Sequence, residues 1–212
     1  MTDPSPSSWW RRRRVLAAIG AGSLVGVAGC VGGGESDGDG DGDGEDDVAS
    51  PDDDADGGEP SPFLVDHPGD EPQPFESDHM CGVCTMGVTS YDERNAQLAH
   101  ETGDGMMFCS PGCLFAYYVA PDHFDGPDSD VVGVWVTDFD TGDLIDGFEA
   151  YYALEHDDRR ADDPMGVDPR VYEDEDLAVA YVEEYDDLGE DDVITFSEVD
   201  EDVARIYRSS RL

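Results

Sequence analysis

Lysine is absent from this sequence, and its 11 basic side chains, all arginine, face 53 acidic ones for a formal net charge of −42. A chain so short of positive charge cannot coat nucleic acid or an anionic lipid surface, since both are polyanions. No apolar run reaches the roughly 20 residues that a transmembrane helix needs. No phosphate-cradling glycine loop, nucleophile elbow or paired-carboxylate site stands out, so enzyme activity is not expected. Carboxylates are too abundant here to signal chemistry by themselves. The acidity is not confined to a tail. Residues 1–62 hold 14 acidic and 4 basic side chains, which leaves 39 acidic and 7 basic for the rest. Such self-repulsion is sustainable where salt is molar and the Debye length falls to ~3 Å. The composition therefore points to a salt-loving organism. Runs such as Val131–Val136 and an aromatic content of 9% argue against a wholly disordered chain.

Residues 1–30 read as an address. The Arg11–Arg14 cluster precedes Val15–Gly29, an uncharged stretch that ends in small residues before Cys30. A charged head, a short apolar core and small closing residues form a secretory signal. The arginines suit twin-arginine export. Cys30 closes a lipobox-like stretch and is the expected lipidation site; an uncleaved anchor with an unmodified Cys30 is the alternative. Either way the rest of the protein is expected outside the cytoplasm, tethered to the cell membrane. Residues 31–75, rich in Asp, Gly and Pro, lack any periodicity that could bury a face and read as an acidic disordered tether.

The remainder, 76–212, alternates short strands and helices. Val88–Tyr91, Ala96–His100 and Met106–Cys109 read as strands. Ser110 looks like an N-cap, with Pro111 opening a helix that Pro121 stops. Val131–Asp138, Leu144-Ile145, Ala150–Leu154 and Val193–Phe196 read as further strands. Residues 155–170 read as a loop. Asp174–Tyr185 reads as an amphipathic helix with Leu177, Tyr181 and Val182 inward, and Ser197 to Asp200 can cap a terminal helix. Strand, strand, helix, strand occurs twice. The expected fold class is therefore α+β, in two similar halves of about 76–138 and 139–212.

Chemistry concentrates in the sulfurs. Beyond Cys30 there are four cysteines, Cys81-x2-Cys84 and Cys109-x3-Cys113, and Met80, Met86, Met106 and Met107 each lie within three positions of one. Thiolate and thioether are soft ligands that together select Cu(I) over hard cations. Two such pairs also suit zinc, and in an exported protein they could instead be disulfides. Met106 and Met107 fit strand core, whereas Met86 is the better ligand candidate. His79 adjoins the cluster, and no other histidine has a telling spacing. The glycine turn at 103–105 returns the second pair toward the first. Soft donors crowded at a strand's exposed start suggest a low-coordinate site from which an ion could leave by ligand exchange.

Several ordered segments resemble the NosL family, the nitrous oxide reductase accessory lipoproteins, in a haloarchaeal-type version. They are Cys84-Thr85-Met86-Gly87-Val88, and Phe108-Cys109-Ser110-Pro111 running into Phe115-Ala116-Tyr117-Tyr118. Val134-Trp135-Val136-Thr137-Asp138-Phe139 with Thr141-Gly142, Ala150-Tyr151-Tyr152, Pro164-Met165-Gly166 and Ile194-Thr195-Phe196 continue the match. The resemblance covers about 81–199. It implies two strand-strand-helix-strand halves and a membrane-anchored Cu(I) chaperone that supplies nitrous oxide reductase or its copper-assembly machinery. By position it implies Cys84 and Met86 as copper ligands, with Met165 as a third donor. The Cys109/Cys113 pair departs from the commoner family pattern, so a four-cysteine site including Cys81 stands as the alternative. Other exported copper enzymes could be clients. Outside the copper readings stands a structural zinc or disulfide-stapled lipoprotein.

Overall fold

The computed structural model describes residues 60–161 and 163–212. The expected signal segment, Cys30 and the expected spacer through residue 59 lie outside them. The strands are β1 (Leu64–Asp66), β2 (Ala96–His100), β3 (Asp104–Phe108), β4 (Val131–Thr137), β5 (Leu144–Asp146), β6 (Tyr151–Ala153), β7 (Arg170–Tyr172) and β8 (Val193–Thr195). The helices are α1 (Pro111–Val119), α2 (Asp158–Ala161), α3 (Glu175–Glu183) and α4 (Glu201–Arg208). No described helix is long and apolar enough to cross a membrane.

Two antiparallel sheets form, in the orders β1-β3-β2-β4-β5 and β7-β6-β8. The doubled pattern is real. In the first half β2 lies between β3 and β4, and α1 connects those two neighbours. In the second half β6 lies between β7 and β8, and α3 connects them. The fold is α+β, as expected.

The details correct the sequence reading in five places. Val88–Ser90 is a 3-10 turn rather than a strand, because Val88 N–H is drawn to His79 O (3.0 Å) by the loop before it. The expected tether cannot run to residue 75: Leu64–Asp66 pairs with Met106–Asp104 at the sheet edge. Behind it His67 is fully buried, stacked on Trp135 at 5.0 Å and bonded through Nε2 to Gln97 Oε1 at 2.7 Å. β5 extends the first sheet, so the change of half falls after Asp146 rather than at 138. The 155–170 segment holds the short helix α2, and its last residue opens the strand β7. In α3, Leu177 is exposed, while Ala178 and Val182 are buried and Tyr181 packs half-buried beside them. A small residue lets that helix approach the sheet closely.

α1 is buried from Pro111 through Tyr117. A helix apolar on all sides must be enclosed on all sides, and α4 with both halves encloses this one. The Phe115 ring meets Tyr152 at 5.1 Å, Tyr207 at 6.1 Å and Phe196 at 6.4 Å. One continuous core thus joins the halves. It also contains all four cysteines.

Candidate metal centre

Three segments deliver the four cysteines to one place. Cys81 and Cys84 stand on the loop before the 3-10 turn, Cys109 directly follows β3, and Cys113 lies in the first turn of α1. All four sulfurs lie within 4.8 Å of one another. Cys84 Sγ is 3.4 Å from Cys109 Sγ, and Cys109 Sγ is 3.9 Å from Cys113 Sγ. Four thiolates at ~2.3 Å from a tetrahedral metal stand ~3.8 Å apart. The sulfurs therefore already outline the volume of one ion. All are free thiols. Their exposures are 0% for Cys81 and Cys113, 2% for Cys109 and 5% for Cys84. The expected open site is instead a closed cage whose least covered member is Cys84.

The first pair is held by a tight loop. Cys81 N–H donates to Met86 O (2.8 Å) and Thr85 N–H donates to Cys81 O (2.9 Å). Thr85 is left-handed at φ 62°, costly for a β-branched residue, and its hydroxyl donates to Cys84 O at 2.6 Å. Gly82 N–H donates to Met107 O at 3.2 Å, which fixes the loop to β3. A Cβ on Gly82 would come within 2.2 Å of Met106 Sδ. Met106 and Met107 are core packing, as their place in the sequence suggests.

The second pair is held from the far end of the chain. Arg208, 1% exposed, spends its five N–H donors on five acceptors. Nε donates to Cys113 Sγ (3.1 Å), and the remaining donors reach Val167 O (2.9 Å), Tyr207 O (2.9 Å), Ser110 Oγ (2.7 Å) and Asp168 Oδ1 (3.0 Å). Ser110 occupies the N-cap position, but its side chain does not cap the helix. The free helix-start donor of Gly112 goes instead to Asp168 Oδ1 at 2.9 Å. Burial pushes the Asp168 carboxyl up to about 6, against the pull of Arg208. Asp163 lies 3.9 Å from Arg208 and is paired with Arg94 at 3.0 Å.

The sulfurs shift one another's ionisation. Burial opposes ionisation of Cys81, yet hydrogen bonds from Cys109 and Cys113 bring its thiol below the ordinary value. The hydrogen bond from Cys109 does the same for Cys84. The contact with Cys113, then those with Cys81 and Cys84, and burial push the Cys109 thiol up. A cation bound among them would displace the remaining protons, because the thiolate is the ligand form.

Of the expected site residues, Cys81, Cys84, Cys109 and Cys113 are brought together. Met86 and Met165 are half-buried and pack against the same core. Met165 lies on a tight turn, its N–H donating to Asp163 Oδ1 at 2.6 Å. His79 is turned to local use, its Nδ1 accepting from Glu76 N–H at 3.0 Å. Sequence reasoning missed Arg208 and Asp168. One of three closely spaced arginines, Arg205, Arg208 and Arg211, and one of 53 acidic residues carry no local signal.

A model of the NosL family matches residues 72–204. The chain belongs to the NosL family. Among solved structures, the crystal structure of the copper chaperone NosL from Shewanella denitrificans aligns with a TM-score of 0.50. The identity is 21%, over 62% of this chain and 97% of that one, which speaks for a shared NosL fold. No curated protein sequence gives a significant match. Within this NosL-family fold, a buried four-cysteine cluster is suited to hold a metal ion.

Proposed function

We propose that the protein is an extracytoplasmic Cu(I) carrier that delivers its ion to nitrous oxide reductase, its copper-assembly machinery, or another exported copper enzyme. The observation that carries this reading is the group of four buried sulfurs within 4.8 Å of one another, in a chain of the NosL family. Soft thiolates suit Cu(I), and a cage without nitrogen or oxygen donors disfavours Cu(II). Copper is the cargo here, not a resident cofactor. Cys84, the least covered thiol, is where an incoming donor would first reach the ion. Met86, two positions on and half-buried, is the nearest thioether in sequence to take over as Cys84 lets go. Met165 is a further candidate donor from the second half. The role needs no catalysis. Cys30 lipidation after twin-arginine export would keep the carrier at the cell membrane, facing outward, in a halophilic host.

One observation favours a second reading. The spacing of the sulfurs fits a tetrahedral structural zinc as well, which would staple the loop, β3 and α1 without any delivery. Metal titration of the full chain under reducing conditions, in molar salt, separates the two. The carrier reading expects one Cu(I) per chain, held against a competing chelator and surrendered to a thiol-bearing acceptor. Stoichiometric zinc with no measurable Cu(I) affinity would end it. For the anchor, Cys30→Ser should move the protein from the membrane fraction to the soluble one with metal affinity unchanged; retention at the membrane would show an uncleaved apolar segment instead.

A further inference from the structure

The cage is not electrically symmetric. One of its sulfurs, Cys113 Sγ, accepts a hydrogen bond from a guanidinium at 3.1 Å, and that guanidinium is 1% exposed. Its nearest counter-charge is Asp168, also buried, which it reaches through a different nitrogen at 3.0 Å. We propose that Arg208 is the specificity-determining residue of this site, biasing the four-thiolate cage toward a monovalent ion and against a divalent one. The inference rests on the carrier reading above.

The physical argument is Coulombic. A fixed positive charge beside the ligand sulfurs repels a divalent ion twice as strongly as a monovalent one. Contacts at this depth are screened far less by salt than surface pairs, so the effect survives in a molar-salt milieu. Thiolates alone give no such discrimination, since soft sulfur suits zinc and Cu(I) alike. The hydrogen bond adds to the bias. It draws electron density from Cys113, and weaker donation costs most for the ion of higher charge. Asp168, and Asp163 at 3.9 Å, temper the field without cancelling it, because the atom that touches sulfur is the cationic nitrogen and Asp163 is itself paired with Arg94 at 3.0 Å. The aliphatic stem of Arg208 also packs in the interior, so its removal would loosen the fold and weaken every metal. Absolute affinity therefore cannot test the idea. The ratio between two ions can.

The experiment uses the full chain in molar salt with reductant, with Cu(I) and Zn(II) each titrated against a chromophoric chelator. Arg208→Gln keeps two N–H donors but removes the charge, and should lower the Cu(I)-to-Zn(II) affinity ratio by about tenfold. Arg208→Lys keeps the charge and should hold the ratio near wild type even where both affinities fall. Asp168→Asn unmasks the guanidinium and should move the ratio the other way, toward Cu(I). Equal weakening of both ions in Arg208→Gln would overturn the inference and leave Arg208 a purely structural residue. Where Arg208→Gln does not fold, the Asp168→Asn ratio decides, and an unchanged ratio or a shift toward zinc overturns it. A wild-type chain without Cu(I) affinity overturns the carrier reading and the inference together, whereas normal wild-type loading with an unmoved ratio sinks only the inference.

Discussion

The two halves share one topology and are held by different chemistry. In the first, β2, β3, α1 and β4 close around sulfur and carbon: four cysteines, Met106, Met107, Phe108 and Tyr117, all buried. In the second, β6, β7, α3 and β8 close around arginine and aromatic rings. Glu155, its carboxylate fully covered, accepts from Arg160 Nε at 2.9 Å, Arg160 Nη2 at 2.7 Å and the Tyr181 hydroxyl at 2.5 Å. Arg160 also stands over the Tyr185 ring at 4.3 Å, and Arg170 over Phe139 at 4.5 Å. Residues 63–212 hold seven arginines, and only Arg94 belongs to the first half. Six of those seven thus come from the half that has no cysteine cluster. The exception at the seam is Arg208, which comes from the second half and completes the first.

That contrast can be broken from either side. The largest effect is expected from Cys109→Ser/Cys113→Ser, which takes two of four sulfurs from the cage. Metal affinity should fall by at least about a hundredfold in chelator competition, with the second half's aromatic circular dichroism retained. A double mutant that still binds one Cu(I) tightly would return the site to Cys84, Met86 and Met165 alone. Next comes Gly112→Ala, at the join. A Cβ there would lie 2.5 Å from Asp168 Oδ1 and 2.9 Å from Tyr207 Cβ, so stability should drop by about 2–3 kcal/mol in denaturant titration. An unchanged midpoint would mean that α1 and α4 are packed less tightly than the structure places them.

The smallest effect belongs to the second half and depends on pH. Burial would raise Glu155, but the bonds from Arg160 and Tyr181 outweigh it and hold the carboxyl below its ordinary value. A depressed carboxyl contributes stability above its unfolded pKa and loses it as pH falls through the folded one. Glu155→Gln should therefore lower the melting temperature by a few degrees at neutral pH. The gap to wild type should close under acid below the normal glutamate range. A gap that persists at low pH would show that shape, not charge, holds this corner.

What the sequence revealed follows the range of the interactions. β2 was legible to the residue, because Ala96–His100 is bounded by turn chemistry on both sides. The start of α1 was legible from Ser110-Pro111, although the capping carboxylate is Asp168, 56 positions from Gly112. The two cysteine pairs were legible by spacing, and their meeting by the hairpin between them. Val88–Ser90 was misread because the β-branched pair Val88-Thr89 suggests a strand, whereas the segment takes its shape from the loop it closes. β1 was missed because three residues in a Pro- and Asp-rich context carry no period; only pairing with β3 defines them. Leu177 was placed inward by helical spacing, but Ala178 took that position.

Arg208 and Cys113 are 95 positions apart, and Arg208 and Ser110 98. Contacts of such span close large loops and form late in folding. A chain made from its N-terminus therefore displays all four thiols well before the guanidinium that finishes their surroundings exists. The thiol quartet belongs to the early chain, but its electrostatic environment is settled by the last turn of the last helix. Removing α4 would keep all four thiols in the chain but take away what holds the second pair, and so return the protein to that unfinished, juvenile state.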